Sequence, residues 1–219
     1  MSDAPLLLYG YWRSSASYRV RIALNLKGVT YRQQSVHLVR DGGRQHDPGY
    51  RAINPQAQVP TLVDGDLTLS QSPAILEYIE EKFPQPALLP ENPTGRARVR
   101  QLGAVIACDI HPVNNLAVLK YLVDTLGVDE AAKLAWYRHW VRRGLDAFER
   151  LLADSPATGH CCHGDQPTLA DCCLVPQVYN ARRFDCDESG WPTIRRICLH
   201  LDTLAAFAEA TPERQADAE

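Results

Sequence analysis

Two rhythms of hydrophobic and polar positions share the first eighty residues. Leu6-Leu7-Leu8-Tyr9 is a short apolar run that predicts a buried strand. Ser14, Ser15 and Ser17 follow, small polar residues of the kind that start helices. Behind them Ile22, Ala23 and Leu26 recur at helical spacing until Lys27-Gly28 stops the helix. Residues 29–36, beginning Val-Thr-Tyr, predict a second strand. Arg40-Asp41-Gly42-Gly43 is a turn, and a short helical piece ends before Asn54-Pro55. Val59-Pro60-Thr61-Leu62-Val63 predicts a third strand, and Asp64-Gly65-Asp66 turns it tightly into Leu67-Thr68-Leu69. Ser72 suits an N-cap and Pro73 the first helical position of the next helix, whose apolar face is Ala74, Ile75, Tyr78, Ile79 and Phe83. The order is βαβ, then a ββ hairpin, then α.

Prolines at 84, 86, 90 and 93 leave no room for a regular element, so residues 84–94 read as a linker between a domain at 1–83 and one at 95–219. The second domain shows only helical patterns. One segment runs from Gly95 past Pro112 toward Leu126, with a kink or interruption expected at Pro112. Residues 129–152 are amphipathic, with Ala132, Trp136, Trp140, Leu145, Phe148 and Leu152 among the apolar positions. Thr168-x-x-Asp171 resembles a capping box that opens a helix to about Arg183. A last helix is expected from Ile194 to about Ala210, and the polar residues 215–219 are expected to fray. The fold class is therefore a small α+β domain followed by an all-helical one.

Composition narrows the function classes. A length of 219 residues allows one large domain or two small ones, and 45% apolar residues is ordinary for a globular chain. A net charge of -3 speaks against nucleic acid or an anionic membrane as partner. No run of 18 apolar residues occurs, and Met1-Ser2-Asp3-Ala4-Pro5 lacks the features of a signal peptide, so a cytoplasmic protein is expected. The seven cysteines all lie between Cys108 and Cys198 and are expected to be mostly reduced. None stands at the first helix, which excludes a redox enzyme using a cysteine there. His160-Cys161-Cys162-His163 is a metal decoy: adjacent cysteines point apart, and no second Cys/His pair has finger spacing. No metal is expected, and Cys172-Cys173 reads as helix packing.

The hydroxyl cluster at the first strand-to-helix turn sits where backbone N–H groups and the helix dipole favour an anion, whether phosphate, carboxylate or thiolate. Arg13-Ser14-Ser15-x-Ser17-x-Arg19-Val20-Arg21-Ile22-Ala23-Leu24 resembles the motif of zeta-class glutathione transferases. Further matches are Asn54-Pro55 through Val59-Pro60-Thr61-Leu62, Gln71-Ser72-Pro73-Ala74-Ile75-x-Glu77-Tyr78, Cys108-Asp109-Ile110-His111-Pro112-x-Asn114-Asn115 and Leu174-Val175-Pro176-Gln177-Val178. The one clear departure is Ala16, where the family often has a cysteine; it removes a thiol beside the site and leaves the hydroxyls.

The resemblance implies a thioredoxin-like first domain, glutathione as cofactor, a homodimer and an anionic dicarboxylate substrate. The reaction implied is cis–trans isomerisation of maleylacetoacetate to fumarylacetoacetate in tyrosine and phenylalanine catabolism, by reversible addition of the glutathione thiolate to the double bond. Maleylpyruvate isomerisation, conjugation of small electrophiles and non-catalytic binding are the alternatives. By itself a serine at a helix start is a cap; the matched motif makes Ser14 the donor to the glutathione sulfur, with Ser15 a second donor. Tyr9 and Tyr11 are alternative donors that read better as strand residues. Val59 would pair its backbone with the cysteinyl part of glutathione, before a cis Pro60. Gln71 and Ser72 would hold the γ-glutamyl carboxylate, and Gln45 would lie near the glycyl end. Arg13, His111, Asn115 and Arg183 would meet the substrate, although His111 reads equally well as a polar element at the Pro112 break.

Overall fold

Leu6 and Leu8 point inward along β1 (Leu6–Gly10), with Leu8 fully buried, which makes this strand the inner one that the sequence predicts. In the computed structural model, which describes residues 5–219, β1 pairs in parallel with β2 (Tyr31–Ser35) and antiparallel with β3 (Thr61–Asp64). β3 in turn pairs antiparallel with β4 (Leu67–Ser70), giving the order β2-β1-β3-β4. Between the strands lie α1 (Ser15–Leu26), the short α2 (Pro48–Ile53) and, after β4, α3 (Ser72–Lys82). Val20, Ile22 and Leu24 of α1 and Ile75 and Ile79 of α3 are fully buried, and the two helices pack together. Each such side chain contributes about 1.5–3 kcal/mol through burial. This is the thioredoxin-like arrangement of a mixed four-stranded sheet with helices.

Beyond Leu88 every regular element is helical. α4 (Pro93–Ala104) passes through a π turn (Val105–Ile110) into α5 (His111–Asn114), and α6 (Leu116–Asp124) follows. The helix is irregular just before Pro112, in the π turn, and breaks fully at Asn115, whose ψ of 164° leaves the helix. Pro112 stands just past the π turn, a helix irregularity of the kind expected beside a proline. Pro93–Asp124 is long and apolar enough to cross a membrane by length and composition alone, and it is broken at Asn115. α7 (Glu130–Ala153) is capped by Asp129, and α8 (Leu169–Arg183) opens with the expected capping box. α9 (Pro192–Leu201) ends early; the expected helix to about Ala210 resumes only as the single turn α10 (Ala205–Ala208).

The chain divides into two compact units. One takes the chain as far as Ala87 together with Thr203–Glu219, and the other is Leu88–Asp202. The segment Thr203–Glu219, which the sequence pattern assigns to the helical domain, thus packs on the sheet unit. Residues 215–219 do not fray: Asp217 accepts hydrogen bonds from Trp12 N (3.1 Å) and Ser35 Oγ (2.6 Å), and Glu219 pairs with Arg40. Local polarity predicted fraying, and tertiary partners override it.

Candidate active site

The sheet register gathers the candidate residues of the first unit. Tyr9 stands opposite Thr61, Thr61 opposite Ser70, and Gly10 beside Ser35. These strand ends form one row. Residues 11–14, Val59-Pro60, Gln71-Ser72 and the loop bearing Gln45 all join the sheet at that row. Four segments far apart in sequence therefore meet at one end of the sheet.

Ser14 is the N-cap of α1, with its Oγ accepting from Ser17 N at 3.2 Å. A hydroxyl that accepts a cap bond keeps its own proton, so Ser14 caps the helix and still donates outward. It is half-buried, whereas Ser15 is only 5% exposed, inside the first turn. Of the two residues, Ser14 is the more exposed. Arg13 lies 4.9 Å over the Trp12 ring and donates to the Tyr11 hydroxyl at 3.3 Å.

The peptide bond between Val59 and Pro60 is cis, and Val59 is half-buried. The loop before it is fastened by two side chains. Asn54 Nδ2 donates to Gln58 O (2.8 Å) and Thr61 Oγ1 (3.1 Å), and the Tyr50 hydroxyl donates to Gln58 O at 2.6 Å. Burial raises the Tyr50 phenol above its ordinary pKa against the pull of Thr61 and Asn54, so it stays a donor.

Gln71, not Ser72, is the N-cap of α3. Its φ of 72° is a left-handed conformation that costs a non-glycine residue of order 1 kcal/mol. Its amide Nε2 donates to Gln56 Oε1 at 2.9 Å. Ser72 is the first helical residue, and its Oγ accepts from the buried Arg19 guanidinium at 3.1 Å. Gln45 is 8% exposed in the turn Arg44–His46 and donates to Leu38 O at 3.3 Å, while its Oε1 is buried without a partner. Gly43, at φ 105°, makes room for it; a Cβ there would stand 2.6 Å from Gln45 Oε1.

In the helical unit, α7 sets the shape of the segment carrying His111 and Asn115. Gly144 lies in mid-helix, and a Cβ on it would meet Ile110 Cγ1 at 2.3 Å, so its absence lets the π turn seat against α7. Trp136 Nε1 donates to Val113 O at 2.7 Å, satisfying a carbonyl near the break. Asn115 caps α6, its Oδ1 accepting from Val118 N at 3.1 Å and its Nδ2 donating to Pro112 O at 2.8 Å. His111 is half-buried. Arg182 is spoken for, paired with Glu188 at 2.8 Å. Arg183 is exposed in the last turn of α8, 5.6 Å over the Phe184 ring, and donates to Asn180 Oδ1 at 3.1 Å. Asp171 is fully buried and accepts from Cys162 N, Thr168 N (both 2.8 Å) and Thr168 Oγ1 (2.7 Å), which holds α8 to the preceding loop. Burial, with Asp171 and Asp165 nearby, pushes the Cys161 thiol up to about 12, away from nucleophilic or ligating use. No cluster able to hold a metal occurs among the described residues.

The fold agrees with what comparison with known proteins finds. Residues 4–81 match the glutathione S-transferase N-terminal domain, and residues 134–196 the C-terminal domain. The chain belongs to the glutathione S-transferase family. It is 51% identical to a probable maleylacetoacetate isomerase of Vibrio cholerae, over 97% of this chain and 98% of that one. The holo structure of a bacterial zeta-class maleylpyruvate isomerase superposes with a TM-score of 0.94 at 50% identity, covering 97% of this chain and all of that one (100%). A maleylacetoacetate isomerase from Methylobacterium extorquens AM1, crystallised with malonate and glutathione, superposes at 0.93 with 42% identity, covering 97% and 99%.

The donor set of this transferase-family chain fits glutathione. The first amides of α3 have no intrahelical acceptor, and Arg19 brings positive charge beneath them, a setting suited to a carboxylate. Ser14 at the start of α1 suits a thiolate, and the orphaned Gln45 Oε1 suits an N–H donor. Sequence reasoning missed Arg19, Tyr50 and Asn54 as supports. Asn54-Pro55 and Arg19 both stand in the matched motifs with no role attached, and Arg19 lies on a helix that is buried on nearly every side.

Proposed function

We propose that this chain is a glutathione-dependent cis–trans isomerase converting maleylacetoacetate to fumarylacetoacetate, acting as a cytoplasmic homodimer in tyrosine and phenylalanine breakdown. One observation carries the proposal: the strand register collects Ser14, Val59, Gln71 and Ser72 at one end of the sheet, in a chain half identical to a probable maleylacetoacetate isomerase over nearly its whole length. The seven free cysteines support a reducing compartment.

Bound glutathione supplies a thiolate that adds reversibly to the substrate double bond and lets it rotate. Ser14 donates its hydroxyl proton toward the sulfur while the start of α1 favours negative charge there. Gln71, Ser72 and the first turn of α3 hold the γ-glutamyl carboxylate. Val59 offers its backbone to the cysteinyl part, and Gln45 its orphaned oxygen to the glycyl end. Ser15, buried in the first turn, supports Ser14 from behind. Arg13, His111, Asn115 and Arg183 are the groups for the acid, and the malonate bound by the Methylobacterium relative supports a dicarboxylate substrate. Arg183 suits a carboxylate because its planar fork offers paired donors, and Arg182 is already occupied by Glu188.

The test is an ultraviolet assay of isomerisation with and without glutathione. Turnover of maleylacetoacetate that needs glutathione absolutely and survives chelation supports the proposal; turnover by glutathione-free protein contradicts it. Maleylpyruvate belongs in the same assay, because the maleylpyruvate isomerase superposes as well as any relative described above.

A further inference from the structure

We infer that Asp217, on a segment following the helical unit in sequence, is a positioning residue for Ser14 through a clamp on the Tyr11-Trp12-Arg13 loop. The inference rests on the reading of Ser14 as the donor to the glutathione sulfur.

Trp12 is gripped on both sides of its backbone. Its N–H donates to Asp217 Oδ2 at 3.1 Å, and its carbonyl accepts from Arg21 Nη2 at 3.0 Å. Arg21 is fully buried, and its Nε donates to Ala210 O at 3.0 Å. Both grips therefore lead to the same stretch, Thr203–Glu219. Ser35 Oγ anchors the same Asp217 oxygen at 2.6 Å, tying it to the last residue of β2, which stands beside Gly10 in the sheet. Asn25 Nδ2 donates to Ala206 O at 3.0 Å, fastening the stretch along α1.

A second line runs through Glu219. It pairs with Arg40 and lies 3.1 Å from His37 Nε2. The His37 ring meets Tyr11 edge-on at 4.8 Å, and the Tyr11 hydroxyl accepts from Arg13. The charged and titratable groups around the loop are thus Arg13, Arg21, His37, Arg40, Asp217 and Glu219.

The consequence follows from the short path between clamp and site. Trp12 is two residues before Ser14, and Ser14 N donates to Tyr11 O at 3.0 Å, so the turn that delivers the hydroxyl is built on the clamped residues. Without the clamp α1 still forms, because its own cap bond is local. What is lost is the fixed aim of the Ser14 hydroxyl, and a donor misaimed toward a thiolate stabilises it less.

The experiment combines two substitutions on the full chain with a pH profile. Asp217→Ala should lower kcat roughly five- to tenfold and move the acid limb of the pH profile upward, with glutathione affinity and substrate KM near wild type. Hydrogen exchange at the Trp12 amide should quicken. Asp217→Asn keeps an acceptor oxygen for Trp12 N–H and should restore most of the rate. In a Ser14→Ala background, Asp217→Ala should add little. An unchanged kcat and acid limb in Asp217→Ala would overturn the inference. So would a full extra loss in the Ser14→Ala background, or a loss that comes with a lowered Tm and is not restored by asparagine. Near wild-type turnover of Ser14→Ala alone would overturn the reading of Ser14 itself, and the clamp with it.

Discussion

The sheet unit and the helical unit hold their candidate residues in opposite ways. In the sheet unit each residue is fixed from several sides: strand register, an N-cap, a buried arginine under Ser72, and Asn54 and Tyr50 around the turn before Val59. In the helical unit the candidates stand at helix ends and bond to near neighbours, Arg183 to Asn180 and Asn115 to Pro112. On the proposed function, the difference suits the two ligands. An invariant tripeptide rewards a preorganised cradle, since ordering the site beforehand removes that cost from binding. An acid that must rotate about a bond is suited by a long, exposed side chain such as Arg183 at a helix end.

The contrast is sharpened first at Ser14. Ser14→Ala should lower turnover by about a hundredfold while glutathione affinity changes little, because the hydroxyl acts on the sulfur and most binding contacts lie along the peptide. Single-turnover kinetics and calorimetry read the two effects separately. If Ser15→Ala carries the loss instead, the assignment of the two hydroxyls is reversed.

The helical unit also has rigid points, and breaking the one at Asp171 should cost stability. Asp171→Ala would leave the buried Cys162 and Thr168 N–H groups without an acceptor, for a loss of about 3 kcal/mol in denaturant unfolding. Asp171→Asn keeps an acceptor oxygen and should lose less. A smaller effect is expected at Gly144. Alanine there runs into Ile110, so Gly144→Ala should destabilise by about 1–2 kcal/mol and raise the acid KM by shifting His111. An unchanged KM would separate the π turn from substrate recognition.

How much of this could be read from the sequence depends on how local each cause is. The capping box at Thr168 and Asp171, the start of α1 at Ser14 and the two-residue turn Gly65-Asp66 between Asp64 and Leu67 are set by neighbours in the chain, and all are visible in it. Pro112 marks the irregular stretch, but the full break comes three residues on, where Asn115 caps Val118 N, also a local signal. The cap of α3 was misassigned to Ser72, since a left-handed glutamine is rare enough that sequence preference argues against it. The tail was out of reach altogether. Nothing in Gln215-Ala216-Asp217-Ala218-Glu219 announces partners at Trp12, Ser35 and Arg40, which lie some 180 residues or more away in the chain.

The central claim is that the sheet unit serves glutathione and that the helical unit, with Arg13, serves the acid. One crossed measurement tests it most directly: glutathione affinity by calorimetry and acid kcat/KM for Gln71→Ala and Arg183→Ala. Gln71→Ala should weaken glutathione binding and leave the acid KM at saturating glutathione near wild type. Arg183→Ala should lower acid kcat/KM by roughly ten- to a hundredfold with glutathione binding little changed, and Arg183→Lys should recover only part of the loss. Weakened glutathione binding in Arg183→Ala, or unaltered acid kinetics, would contradict the division and return the carboxylate role to Arg13.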